Sequence, residues 1–91
     1  MKMKATFFVM SMTEFVDGVE YHNKPTAHSN EQEAEAAMNK KADEWISTFK
    51  GIDDFKPKDA RTCDTIEVKD ENAPDTYIKI WIDKVSLEVE I

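Results

Sequence analysis

Four residues in this chain have side chains that could do chemistry on their own: Cys63, Arg61, His22 and His28. A thiolate held by a neighbouring cation and paired with an imidazole base is a nucleophilic arrangement. Arg61 stands two residues from Cys63, but both histidines lie far upstream, so the pairing depends on the fold. His22 and His28 flank Pro25, and no cysteine or carboxylate stands at metal-ligand spacing from them. Asp53-Asp54 and the run from Asp70 to Asp75 are acidic, yet neither carries the spaced oxygen ligands and turn glycine of a calcium loop. Glu14, Asp17, Glu20 and Tyr21 could gather around one turn, but acid–base work needs a cleft that nothing here implies. Gly18 and Gly51 are the only glycines, too few for a phosphate-cradling loop. The expectation is a protein that is not an enzyme and holds no metal or cofactor.

The elements that would position these groups must fit within 91 residues, read as one small α+β domain over 1–91 with a thin core. Hydrophobic residues make up 41% and charged residues 34%, a globular balance that argues against disorder. A formal net charge of −7 disfavours nucleic acid and anionic membrane and suits a basic protein partner. A single cysteine rules out an intrachain disulfide, which points to a reducing, cytoplasmic setting. The Met1–Met12 segment has a basic start and an apolar run, but it lacks a small-residue cleavage site and reads as a strand.

Met3–Val16 has strand composition and leads into Asp17-Gly18, a type I′ turn dipeptide, with Val19–His22 returning and Pro25 ending the second strand. Ser29-Asn30-Glu31-Gln32 reads as a capping box with Ser29 at the N-cap. Ala34, Met38, Ala42, Trp45 and Phe49 then recur at helical spacing, predicting a helix over about 30–50 closed by Gly51. Residues 52–64 read as a polar connection, Thr65–Lys69 as a short strand and Asp70–Asp75 as a loop. Thr76–Ile91 reads as a hairpin turning at Asp83-Lys84. That turn would place Ile78, Ile80 and Ile82 on one face with Val85, Leu87 and Val89. The expected order is β-β-α-β-β-β, a single antiparallel sheet of about five strands with one helix packed on one face.

Tyr77 and Trp81 fall on the opposite side of that hairpin, where two large aromatics need a cover. If Phe8, Met10, Met12 and Tyr21 share their side, the helix-free face is a contiguous apolar patch with Trp81 and Tyr77 as its anchors. The 52–64 connection could instead fold across it. The leading expectation is a small acidic protein-binding module, an inhibitor, adaptor or assembly subunit, acting through that face or a sheet edge. Its size and composition fit a protein of phage or mobile-element type. One alternative is an acidic decoy for a nucleic-acid-binding protein: six acidic residues stand against one lysine from Glu14 to Glu35. The others are a homodimer closed on the same face, or a small homodimeric ligand-binding protein or enzyme with its site between helix and sheet.

Overall fold

The computed structural model describes residues 2–90, with the side chain of Val89 left aside. Seven elements follow in order: β1 (Lys2–Val16), β2 (Val19–His22), β3 (Thr26–His28), α1 (Glu31–Phe49), β4 (Pro57–Arg61), β5 (Thr65–Asp70) and β6 (Ala73–Glu90). The six strands form one antiparallel sheet in the order β2-β1-β6-β5-β4, with β3 pairing β1 beside β2. A single helix covers one face of it, the expected α+β class.

The Asp17-Gly18 turn forms as its dipeptide predicts, with φ of 52° and 80° and Val16 opposite Val19. Two bonds tie the turn to the neighbouring strand: Gly18 N–H donates to the Asp75 carbonyl at 3.1 Å, and Asp17 N–H to the buried Thr76 hydroxyl at 3.2 Å. The helix begins one residue later than the sequence suggests. Asn30, extended at φ −142°, is the N-cap and accepts from Glu33 N–H at 2.8 Å, while the Ser29 hydroxyl donates to the Glu33 carboxylate. At the other end Lys50 stays right-handed and Ile52 N–H closes on the Phe49 carbonyl. The left-handed position falls to Asp54 at φ 67°, so Gly51 does not serve as a left-handed cap.

The predicted apolar stripe of α1 is the buried one: Ala34, Met38, Ala42 and Trp45. It packs on Ile66 and Val68 of β5, Ile78 and Ile80 of β6, and Met10 of β1, with Met12, Phe49, Phe55 and Ile82 around them. Trp45 sits against Phe49 and Phe55 at ring-centroid distances of 4.7 and 6.0 Å. Its indole N–H donates to the Glu14 carboxylate at 3.2 Å, which satisfies the one polar atom of a ring that is otherwise core. We call the helix-covered side of the sheet its inner face.

The structure departs from the expected elements in four places. No turn occurs at Asp83-Lys84; β6 runs through it, and β1 pairs with it without interruption from Lys2↔Glu90 to Phe15↔Tyr77. In a hairpin Ile82 and Val85 would share a face, whereas in a continuous strand three residues apart means opposite faces. Ile78, Ile80 and Ile82 therefore point inward, and Val85 and Leu87 point outward. Neither Asp83 nor Lys84 relieves the backbone as glycine or asparagine would, and the fifteen-residue β1 offers a continuous partner instead. Ile91, part of the expected hairpin, lies outside the described residues. The 52–64 connection contains a strand, β4, and the Asp70–Asp75 loop shrinks to Glu71-Asn72 because β5 and β6 extend into it. A third short strand, β3, adds to the expected pair before the helix.

The molecule measures 59 × 23 × 16 Å. Its length comes from the β1–β6 ribbon, which outruns the rest of the sheet. The β3 pairing reaches only Phe8, and the last link to the β5 side is Ile82 N–H to the Asp64 carbonyl. Beyond them, Lys2–Phe7 and Val85–Glu90 form a free two-stranded arm.

Candidate functional site

Because β1 and β6 pair in unbroken register, residue parity assigns each side chain to a face. Phe8, Met10, Met12 and Glu14 stand opposite Lys84, Ile82, Ile80 and Ile78, so they belong to the inner face. This corrects the expected site. Met10 is 4% exposed and part of the core, Met12 packs beside it, and Tyr21, opposite Glu14, is also on the inner side. Phe8 shares that side, half-buried. The sequence could not settle this, since β1 is apolar on both parities. Which parity is covered is set by its register against the isoleucines of β6.

Tyr77 and Trp81 do lie on the outer face as expected, and their companions there are Met3, Ala5, Phe7, Val9 and Phe15. Phe15 and Tyr77, directly opposite, stack at 4.8 Å with 20° between their planes. Ser11 stands opposite Trp81, Val9 opposite Asp83, Phe7 opposite Val85 and Ala5 opposite Leu87. Phe7, Val85, Leu87 and Met3 are exposed, and Val9, Phe15, Tyr77 and Trp81 are half-buried. The 52–64 segment leaves them open: Phe55 packs under the helix and β4 extends the sheet beside β5. A signal for the true patch was present in the alternation Met3, Ala5, Phe7, Val9, but Phe8, Met10 and Met12 gave an equally apolar set.

Next to Trp81, the outer sides of β4, β5 and β6 enclose an open hollow of about 680 Å³. Ala60, Thr65 and Trp81 form its walls, and Glu67 and Lys79 its polar rim. Glu67 contacts Lys69 at 2.7 Å and Lys79 at 3.7 Å. The Lys69 hydrogen bond, aided by the charges of both lysines, holds the Glu67 carboxyl below its ordinary range, and Lys69 is raised in return.

The arm differs from the body in how its two faces are dressed. Its inner-parity residues are polar, with Lys2 opposite Glu90, Lys4 opposite Glu88, and the Thr6 and Ser86 hydroxyls 3.4 Å apart. Opposite charges across a ladder favour this pairing. Its outer side carries Met3, Ala5, Phe7, Val85 and Leu87.

The groups that might have done chemistry are not brought together. Cys63 is exposed in the bend between β4 and β5, whereas His22 and His28 lie on β2 and β3, with β1 and β6 between. His28 contacts the Thr26 hydroxyl at 2.9 Å, and His22 the Glu20 carboxylate at 3.2 Å. Arg61 turns away to the helix, where it binds Asp59, Asp43 and Asn39 at 2.7–2.9 Å; hydrogen bonding to Asp59, then Asp43, pushes its guanidinium further above its ordinary range. It clamps β4 to α1. Asp70, buried, accepts from the Lys56 and Asn72 amides and so shapes the β5–β6 turn. Among the described residues, no group of three histidine, cysteine or acidic side chains is placed to hold a metal, and no helix is long and apolar enough to cross a membrane.

Comparison with protein-family models, with curated proteins and with solved structures finds no match to this chain.

Proposed function

We propose that this chain is a small acidic protein-binding module rather than an enzyme, working in the cytoplasm through the outer face of its sheet. The observation that supports the reading is the set of outward apolar side chains along β1 and β6, from Met3 to Phe15 and from Tyr77 to Leu87, broken by Ser11, Thr13, Lys79 and Asp83, with none of the described elements over it. Exposed apolar surface of this extent marks a contact site. Trp81 is its anchor: a half-buried indole beside an open hollow is the kind of residue that dominates binding energy. Tyr77, stacked on Phe15, is held rigid and so loses little entropy on contact. The partner is a protein with a complementary apolar face. The acidic surface of the helix lies on the other side of the sheet and serves solubility.

Immobilised wild type, Trp81→Glu and a helix-surface control, Glu44→Lys, compared for what each retains from cell extract, test this. Proteins held by wild type and the control but released by Trp81→Glu support the reading. Identical sets from all three overturn it.

A further inference from the structure

We infer that the partner seated on the outer face is a second copy of this chain, packed face to face about a two-fold axis through the Ser11–Trp81 pair. The inference rests on the reading of that face as a protein contact and names its occupant.

The pattern of side chains about Trp81 carries it. An axis lying between the two sheets and perpendicular to the strands lays each strand antiparallel over its own counterpart, so a residue a given number of places before the axis meets the one the same number after it. The ribbon has two charged residues on its outer face between Tyr77 and Leu87, Lys79 and Asp83, and they stand two places to either side of Trp81 with opposite sign. The axis sets Lys79 of each copy against Asp83 of the other. Four places out, Tyr77 meets Val85 on β6, and Phe15 meets Phe7 on β1. Nearer in, Thr13 meets Val9, and Trp81 meets its own counterpart. Out to four places the aromatic groups fall on apolar ones and the charges pair, while six places out Leu87 falls on Asp75 and Ala5 on Asp17. An axis through the Val9–Asp83 pair would instead place two aspartates together.

The extent of contact favours the same arrangement. Overlap of the arms alone spans six residues, about 20 Å, which is short for a stable interface. With the axis at Trp81, each arm lies over the body of the other copy as far as the Asp17-Gly18 turn, about 40 Å of ribbon two strands wide. This gives the arm a second layer, which a two-stranded ribbon needs to be stable in water. Charge permits it as well. Each chain carries −7, but in the arm two lysines cancel two glutamates, and the helices come to lie on opposite outer sides of the pair. Two sheets about 10 Å apart then separate them by more than the Debye length of about 8 Å.

The experiment is solution mass by sedimentation equilibrium over a wide concentration range, on wild type, Asp83→Lys, Lys79→Asp, the double charge swap and Trp81→Glu. Wild type is expected at twice the chain mass of 10.5 kDa. Trp81→Glu and each single charge change should raise the dissociation constant about tenfold or more, since symmetry repeats each loss. The double swap should return it to within about threefold of wild type. Circular dichroism of each variant confirms the fold, which uses none of these side chains in its core. In a Cys63→Ser background, Ser11→Cys should cross-link to its counterpart with a short bismaleimide. A wild type that stays monomeric at every concentration, or a dimer indifferent to Asp83→Lys and Trp81→Glu, overturns the inference. Monomeric wild type that still retains other proteins through Trp81 would leave the face a binding site with a different occupant, so the two readings fail separately.

Discussion

Ile80 and Leu87 stand on one uninterrupted strand, both aliphatic and both paired with β1, yet the first is 1% exposed and the second 52%. Around Ile80 the sheet is five strands wide and has a helix over its inner face; around Leu87 it is two strands wide, with none of the described elements over either face. The same backbone ladder runs through both regions. Hydrogen bonds of the ladder contribute little net, because water replaces them on opening, so the layer above the strands decides local stability. The body supplies its own layer with α1, whereas the arm has to find one elsewhere.

That contrast can be broken or sharpened by measurement. In the Asp83→Lys variant, amide exchange should be slower by several orders of magnitude at Ile78 and Ile80 than at Val85 and Leu87. Comparable protection in both would mean that the arm is stable without a second layer. Ile80→Ala should destabilise by about 2–5 kcal/mol in urea denaturation, and Leu87→Ala in the same background by no more than about 0.5 kcal/mol. At the N-terminus of the helix that covers the body, Asn30→Ala should cost about 1 kcal/mol and Ser29→Ala much less, because only the Asn30 side chain holds a backbone amide. The smallest effect belongs to Glu67 on the outer face of the body. Its carboxyl titrates lower folded than unfolded, so its contribution is present above about pH 4.3 and is lost as pH falls through the folded value. Glu67→Gln should remove that part of the acid limb of a stability profile, by about 0.5 kcal/mol or less given its partly exposed partners.

The body was largely legible in the sequence and the arm was not. Asp17-Gly18 names its turn because few dipeptides accept positive φ at both positions, and the spacing Ala34, Met38, Ala42, Trp45 has no other economical reading than a buried helix stripe. The alternation Ile78, Ile80, Ile82 likewise gave the core wall. At Asp83-Lys84 the apolar residues shift parity. A shift of three is compatible both with a tight turn returning to the same face and with a continuous strand passing to the other. The choice depends on β1, whose length and register are a long-range matter. The site inherited that ambiguity. Local alternation is enough to place Tyr77 and Trp81, whereas Phe8, Met10 and Met12 stand on a strand apolar on both sides, and Tyr21 follows the register of that strand.

The pairing of β1 with β6 also governs how the chain acquires its shape. Met10 finds its place opposite Ile82, a partner that emerges from the ribosome roughly 4–15 s later at ordinary synthesis rates. Through that interval β1, fifteen residues rich in phenylalanine, valine and methionine, waits without its principal neighbour. Local elements, the first hairpin and the helix, can form during the wait, but the sheet closes only when the last strand arrives. Such long-range closure is slow. For this chain, the period before closure is when chaperone capture and aggregation compete most directly with folding.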